Sequence, residues 1–147
     1  MCVVLDLFSR KVLAYNLSDK CDAALGMKPA KEAYKLRGRP EGLMFHSDLG
    51  VQYTAYSFYK LLQDESIAQS FSRPGNPLDN AVAESFFASY KKEDLRHKVF
   101  SSYEELTAGI ADYINHYNTY RPHRKCGHIS PDEFEEDYYK EKAQKAA

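Results

Sequence analysis

Asp48 and Glu84, with 35 residues between them, are the two side chains of this 147-residue sequence best suited to metal and phosphate chemistry. Asp48 lies in His46-Ser47-Asp48-Leu49-Gly50, closing an apolar run that reads as a strand. Glu84 lies in Asp79-Asn80-Ala81-Val82-Ala83-Glu84-Ser85-Phe86-Phe87, in the opening turns of an amphipathic helix. A carboxylate at the carboxyl end of a strand borders the crevice where open α/β sheets bind ligands. Mg²⁺ takes one or two carboxylates together with substrate phosphate. Two such ions about 3.5–4 Å apart activate the attacking oxygen and stabilise the leaving one in phosphodiester cleavage. Spacing alone equally allows a turn aspartate and a solvated helix glutamate. No convincing third carboxylate accompanies the pair.

The neighbouring residues carry two readings each. Glu84, Ala88 and Lys91 form one helical stripe, on which a phosphate backbone could approach the small residue and be held by the lysine. Lys91 and Lys92 are otherwise a solvated face. Val82, Phe86 and Tyr90 form a separate apolar stripe that packs inward. His46 projects to the same side of its strand as Asp48, and either orients water or phosphate or is a hydrogen-bonded structural residue. Asp79 and Asn80 read as capping residues for the helix of Glu84. Arg121, His123 and Arg124 either contact phosphate or tie a helix end to the tail. His97, His116 and His128 make no ligand spacing with one another or with the cysteines.

Bulk properties restrict the partners. The length fits one domain with a real core, and 44% hydrophobic residues argue for a globular chain. No apolar run approaches the roughly 20 residues of a membrane span, and no signal peptide is visible. Cys2, Cys21 and Cys126 are odd in number and lack CxxC spacing, so they read as reduced thiols of a cytosolic protein. A net charge of −1 is low for a stand-alone DNA binder. Charge is uneven, however: Lys91, Lys92, Arg96 and Lys98 cluster after Glu84, Arg121, His123, Arg124 and Lys125 cluster further on, and acidic residues gather from Asp132 to Glu141. Contact with nucleic acid would be local and helped by another domain or subunit.

The elements that must position these residues follow from patterning. Residues 2–8 and 11–17 are β-rich runs joined at Ser9-Arg10 as a hairpin. A helical pattern runs from 19 to 36, with Gly26 and Pro29 predicting a kink or late start. Residues 43–46 form a short strand, and Gly50 supplies the tight turn after it. Residues 55–64 are helical with Phe58, Leu61 and Leu62 inward, and 67–71 are a strand. The next helix starts with Asn76 as cap and Pro77 in the first position, or with Asp79 as cap, and runs to about Lys98. Ser102 with Glu105 makes a capping box for a helix whose stripe is Leu106, Ile110, Tyr113 or Ile114, and Tyr117. Arg121-Pro122 ends it. Ser130-Pro131-Asp132-Glu133 starts a last helix in the same way, and its Lys/Ala tail is expected to fray.

Four ordered motifs carry a family resemblance. They are His46-Ser47-Asp48-Leu49-Gly50, Gly75-Asn76-Pro77-Leu78-Asp79-Asn80-Ala81-Val82-Ala83-Glu84-Ser85-Phe86-Phe87, Tyr117-Asn118-Thr119-Tyr120-Arg121-Pro122-His123 and Ser130-Pro131. Together with the hairpin Asp6-Leu7-Phe8-Ser9-Arg10-Lys11-Val12, they resemble insertion-sequence transposases with a retroviral-integrase-like catalytic core. The resemblance runs from residue 3 to about 135. Leu49, where a Gln is usual, and Cys126, where a Leu is usual, are small departures.

The resemblance implies an α/β, ribonuclease-H-like integrase core with C-terminal helices, and an Asp-Asp-Glu triad using Mg²⁺ or Mn²⁺ to cut and rejoin DNA. Asp48 matches the second Asp and Glu84 the Glu, as catalytic residues and metal ligands. Lys91 matches a basic position that contacts DNA, and Lys92 and Arg121 join it as DNA-binding candidates. By resemblance the first Asp sits on a central strand upstream of the hairpin. The core thus lacks its first strand and that ligand, and Asp6 is the one acidic stand-in. The implied division is a truncated catalytic core over 1–100, a helical extension over 101–142 and a tail over 143–147. Implied partners are DNA (transposon ends and target) and other transposase subunits, with no membrane, in the bacterial cytoplasm at the nucleoid. The chain would be inactive alone; the alternative is a non-catalytic remnant that binds DNA or a transposase.

Overall fold

A computed structural model describes residues 1–75 and 77–146 of the chain. Asn76, one of the two caps considered for the Glu84 helix, lies outside them. The chain divides into two compact units: Met1–Val4 with Leu13–Ser85, and Leu5–Val12 with Phe86–Ala147.

Strands β1 (Cys2–Leu5) and β2 (Val12–Asn16) form a two-stranded sheet, as the paired β-rich runs predict. The turn between them closes with Asp6 N–H donating to Lys11 O and Arg10 N–H to Asp6 O. Arg10 takes a left-handed φ of 67°.

Helix α1 (Ala23–Leu36) starts late, capped by Asp22, whose side chain accepts from Leu25 N–H. Pro29 sits inside it and is fully buried. Proline has no N–H to give the carbonyl four residues earlier, which is Leu25. The Asn16 amide Nδ2 donates to Leu25 O at 3.4 Å and supplies the missing donor. Gly26 lets the same helix approach its neighbours, since a Cβ there would stand 3.1 Å from the Tyr53 ring and 3.3 Å from Phe58.

Strand β3 (Met44–Ser47) leads into a short helix α2 (Val51–Thr54) and then α3 (Tyr56–Asp64) and β4 (Ala68–Phe71). β3 and β4 pair in parallel, with Met44 opposite Ala68 and His46 opposite Ser70. Phe58, Leu61 and Leu62 face inward as their spacing requires. Phe58 and Leu62 join Ala30 and Ile67 in a core flanked by Phe45 and Tyr53, the Phe58 ring lying 5.3 Å from Phe45 and 5.4 Å from Tyr53.

A 3-10 turn (Pro77–Asn80) precedes α4 (Ala81–Glu93). The helix ends at Glu93 rather than near Lys98. Asp94 leaves helical geometry, a second 3-10 turn (Leu95–His97) follows, and His97 Nε2 lies 3.0 Å from Lys92 O, satisfying a terminal carbonyl. Helix α5 (Tyr103–Thr119) has the expected Ser102 cap, and buries Ile110, Tyr113, Ile114 and Tyr117. Glu105 departs from the simple capping box by accepting from Ser101 N–H and Oγ–H. Helix α6 (Pro131–Ala146) opens on a reciprocal box: Glu133 N–H donates to Ser130 Oγ, while Glu133 Oε2 accepts from Ser130 N–H and Oγ–H. The residues expected to fray remain helical to Ala146, with Lys145 paired to Glu141.

Ser130 is fully buried and Ser102 exposed, so the two caps differ in what their loss exposes. Ser130→Ala is expected to destabilise the chain by about 1–2 kcal/mol and Ser102→Ala by less. Thermal melts of the two variants decide it, and equal losses would refute the assignment of burial as the cause.

Candidate metal and nucleic-acid site

The position of Asp48 follows directly from β3. The strand's last residue, Ser47, is buried, and its hydroxyl donates to Asp48 O at 2.8 Å. Asp48 is exposed immediately beyond, and its Oδ1 accepts from Gly50 N–H at 2.9 Å. From the sequence Gly50 is expected to supply a tight turn. Its φ of −58° is open to any residue, and its smallness matters for another reason. A Cβ at Gly50 would stand 2.9 Å from Asp48 Oδ1 and 2.7 Å from the Gln52 amide, so the glycine makes room for the carboxylate to fold over the turn.

His46 takes the structural one of its two readings. Nδ1 lies 3.0 Å from Ser70 Oγ and Nε2 3.1 Å from Ser72 Oγ, so both ring nitrogens are engaged. Ser70 lies in β4 and Ser72 just past its end, and their two-residue spacing is the sequence signal available for this pairing.

Glu84 sits exposed in the first turn of α4, where the helix dipole favours an anion. Ala88 and Lys91 follow it on the exposed stripe, while Phe86 and Tyr90 are buried and Val82 half-buried. Both helical stripes therefore face as their periodicity predicts. Lys91 and Lys92 are exposed, and among the described residues no ion pair engages them. Asp48 and Glu84 belong to the same compact unit; Lys91, Lys92 and Arg121 belong to the other.

Asp79 accepts from Arg73 N–H and Nε–H, both at 3.1 Å. Those bonds from Arg73 hold its carboxyl below the usual carboxylate range. Asp6 Oδ1 likewise accepts locally, from Phe8 N–H at 2.8 Å in the hairpin turn.

Arg121 is half-buried and bound to Glu93, with Nη2 2.7 Å from Oε1 and Nε 2.9 Å from Oε2. Nη2 also donates to Ser89 Oγ, and the guanidinium lies 5.7 Å from the centre of the Tyr117 ring. The hydrogen bond from Arg121, opposed by burial and aided by one from Tyr113, holds Glu93 below its ordinary range. Glu93 is thus the residue the sequence reading missed: Arg121 ties the end of α5 to α4. His123 packs edge-on against Tyr117 at 4.5 Å, and its buried Nε2 has no hydrogen-bond partner among the described residues. Burial, reinforced by the charge of Arg121, pushes its pKa down to about 4.

Asp48 and Glu84 are hard oxygen donors of the kind Mg²⁺ prefers, and both are open to solvent. Among the described residues no group of three or more His, Cys, Asp or Glu side chains is assembled to hold a metal. Carboxylates of this kind suit a divalent ion whose remaining shell would come from water, substrate or another chain.

Two family models, each described as an integrase core domain, match residues 1–77 and 65–131. The chain belongs to the integrase core family. This integrase core is 37% identical over 136 residues to the insertion element IS600 uncharacterized 31 kDa protein of Shigella sonnei, covering 91% of the chain and 50% of that protein. It is 36% identical over 136 residues to the transposase InsF for insertion sequence IS3A of Escherichia coli K12, covering 92% and 47%. The chain thus spans about half the length of the curated relatives it matches. The solved catalytic core domain of BIV integrase superposes with a TM-score of 0.61 at 20% identity, covering 99% of the chain and 88% of that domain. The fold is that of the ribonuclease-H-like retroviral integrase core, as the motifs led one to expect. Among the described residues no helix is long and apolar enough to cross a membrane.

Proposed function

We propose that this integrase core takes part in DNA transposition, contributing Asp48 and Glu84 to a site that cleaves and joins DNA strands. The observation that carries the reading is the family match running through both carboxylates, with Asp48 exposed at the end of β3 and Glu84 exposed in the first turn of α4. Bound Mg²⁺ or Mn²⁺ supplies polarisation of the phosphodiester and a nucleophilic oxygen at neutral pH. Asp48 would be one residue that holds the ion, its carboxylate oriented by the Gly50 N–H. Glu84 supplies the second carboxylate. Lys91 and Lys92 neutralise backbone phosphates. Arg121, with Nε and Nη2 engaged by Glu93 and Ser89, keeps Nη1 for a phosphate. The DNA comprises element ends and target, the partners are further transposase subunits, and the setting is the bacterial nucleoid.

Two carboxylates alone would leave the chain inactive until an Asp from a partner chain completes the triad; Asp6 in that role would instead make the chain active by itself. Mn²⁺ added to the labelled chain should broaden the amide resonances around Asp48 and Glu84, and Asp48→Asn with Glu84→Gln should remove that effect. Broadening elsewhere, or none, would defeat the metal reading. Asp48-dependent nicking of element-end DNA by the chain alone would overturn the inactivity.

The absence of a third ligand among the described residues favours a second reading, a non-catalytic module that binds DNA or a transposase. It requires salt-sensitive DNA binding that depends on Lys91 and Arg121 and ignores Asp48 and metal. Binding unchanged by alanine at both basic positions would remove it.

A further inference from the structure

The end of α5 sends two neighbouring side chains in opposite directions. Tyr120 N–H and Arg121 N–H both donate to His116 O, closing the helix. Arg121 then turns inward to Glu93, whereas Tyr120 stays 69% exposed. The Tyr120 ring lies nearly parallel to that of His116, which is also exposed, at 29° and 6.1 Å between centres. Among the described residues the Tyr120 hydroxyl makes no hydrogen bond. A large aromatic face left in water gains little for folding.

Two exposed cations follow it closely in the chain. A 3-10 turn (Arg124–Cys126) holds Arg124 and Lys125 in solvent, closed by Gly127 in the left-handed region at φ 74°. No ion pair engages either side chain among the described residues. Arg124 lies four positions after Tyr120, a reach of at most about 14 Å. Another exposed aromatic pair, Tyr56 with Tyr59 on α3, lacks this feature, because adjacent Lys60 is paired with Asp64.

An open aromatic face next to free cations matches the chemistry of single-stranded nucleic acid, whose bases stack on rings while its phosphates are neutralised. In a duplex those base faces are covered by neighbouring pairs. We infer that Tyr120, backed by His116, stacks an unpaired DNA base, and that Arg124 and Lys125 hold the phosphates flanking it. This inference rests on the DNA reading above and names the form of DNA and the residues that meet it. None of these residues belongs to the metal site.

The test is fluorescence anisotropy with the full chain, a labelled single-stranded oligonucleotide and the duplex of the same sequence. Tyr120→Ala should weaken single-strand binding about fivefold or more. Tyr120→Phe should stay within about twofold, and both should leave duplex binding unchanged. Arg124→Gln and Lys125→Gln should each lower the salt slope on the single strand by about 0.7. Melting curves establish that Tyr120→Ala is folded, as expected for an exposed side chain. Single-strand affinity untouched by Tyr120→Ala, or an equal loss on duplex, would overturn the inference while sparing the DNA reading. A wild-type chain that binds neither DNA would bring down both.

Discussion

Phe86→Ala is expected to cost the chain about 3–5 kcal/mol, enough to threaten the native state of a domain this size. Phe86 is 1% exposed and lies at the centre of an aromatic cluster. Its ring meets Tyr117 edge-on at 5.0 Å, Tyr113 at 6.2 Å and Tyr90 at 6.5 Å in a stacked orientation. Removing it loses the burial of the ring itself and leaves a cavity walled by side chains with few ways to collapse. Tyr113 is fastened by its hydroxyl, which donates to Glu93 Oε2 at 2.9 Å. Tyr117 is in contact with both the Arg121 guanidinium and the His123 ring. Phe86 stands two residues beyond Glu84 on α4, so the substitution also loosens the element that presents the candidate ligand. Urea unfolding of Phe86→Ala and Phe86→Leu gives the measurement, with leucine recovering a large part of the loss. A cost below about 1 kcal/mol for alanine would mean that the cluster repacks freely.

The second large effect is a loss of stability in mild acid through His123. Its folded pKa, about 4, lies below the ordinary value of 6.5, because burial and then the nearby Arg121 charge oppose the imidazolium. The unfolded chain therefore binds a proton in this interval that the folded chain refuses. Stability is complete above about pH 6.5, declines as pH falls toward 4, and levels off below that for this group. Discounted for the solvent that still reaches the ring, the loss is on the order of 2 kcal/mol. Below the ordinary carboxylate range a further loss begins, as Glu93, Asp79, Glu105 and Glu133, all held low by hydrogen bonds, take up protons. Urea unfolding at pH 7 and pH 4.5 should show His123→Asn losing much less than the wild type across that interval. Identical losses would place the acid sensitivity elsewhere.

What was legible in the sequence was local. The Ser102 and Ser130 caps, the α5 stripe and the late start of α1 all depend on residues within a turn or two of one another. The same holds for the outward face of Glu84, Ala88 and Lys91. The end of α4 at Glu93 was missed because it depends on Asp94 leaving the helix and His97 folding back, which no propensity encodes. The partner of Arg121 was missed for a related reason. Glu93 lies 28 residues away, and a basic residue near a helix end is as compatible with phosphate as with carboxylate until the helices are placed. For the candidate site, the motifs single out Asp48 and Glu84 as candidates, but the turn that folds Asp48 over Gly50 depends on the Gly50 N–H and the Gln52 amide placed around it.

The hairpin turn between β1 and β2 is held from far along the chain. Ser9 is fully buried and donates to Glu135, 126 residues later, and Val12 N–H donates to Asn118, 106 residues later. Contacts this distant in sequence slow folding, because the loop must close before they form. At about 5–20 residues per second, a ribosome that has just made Ser9 needs roughly 6 to 25 seconds more to reach Glu135. For that time the hairpin turn waits with its polar groups in water. The compact unit built around it forms only once the opening turns of α6 have arrived.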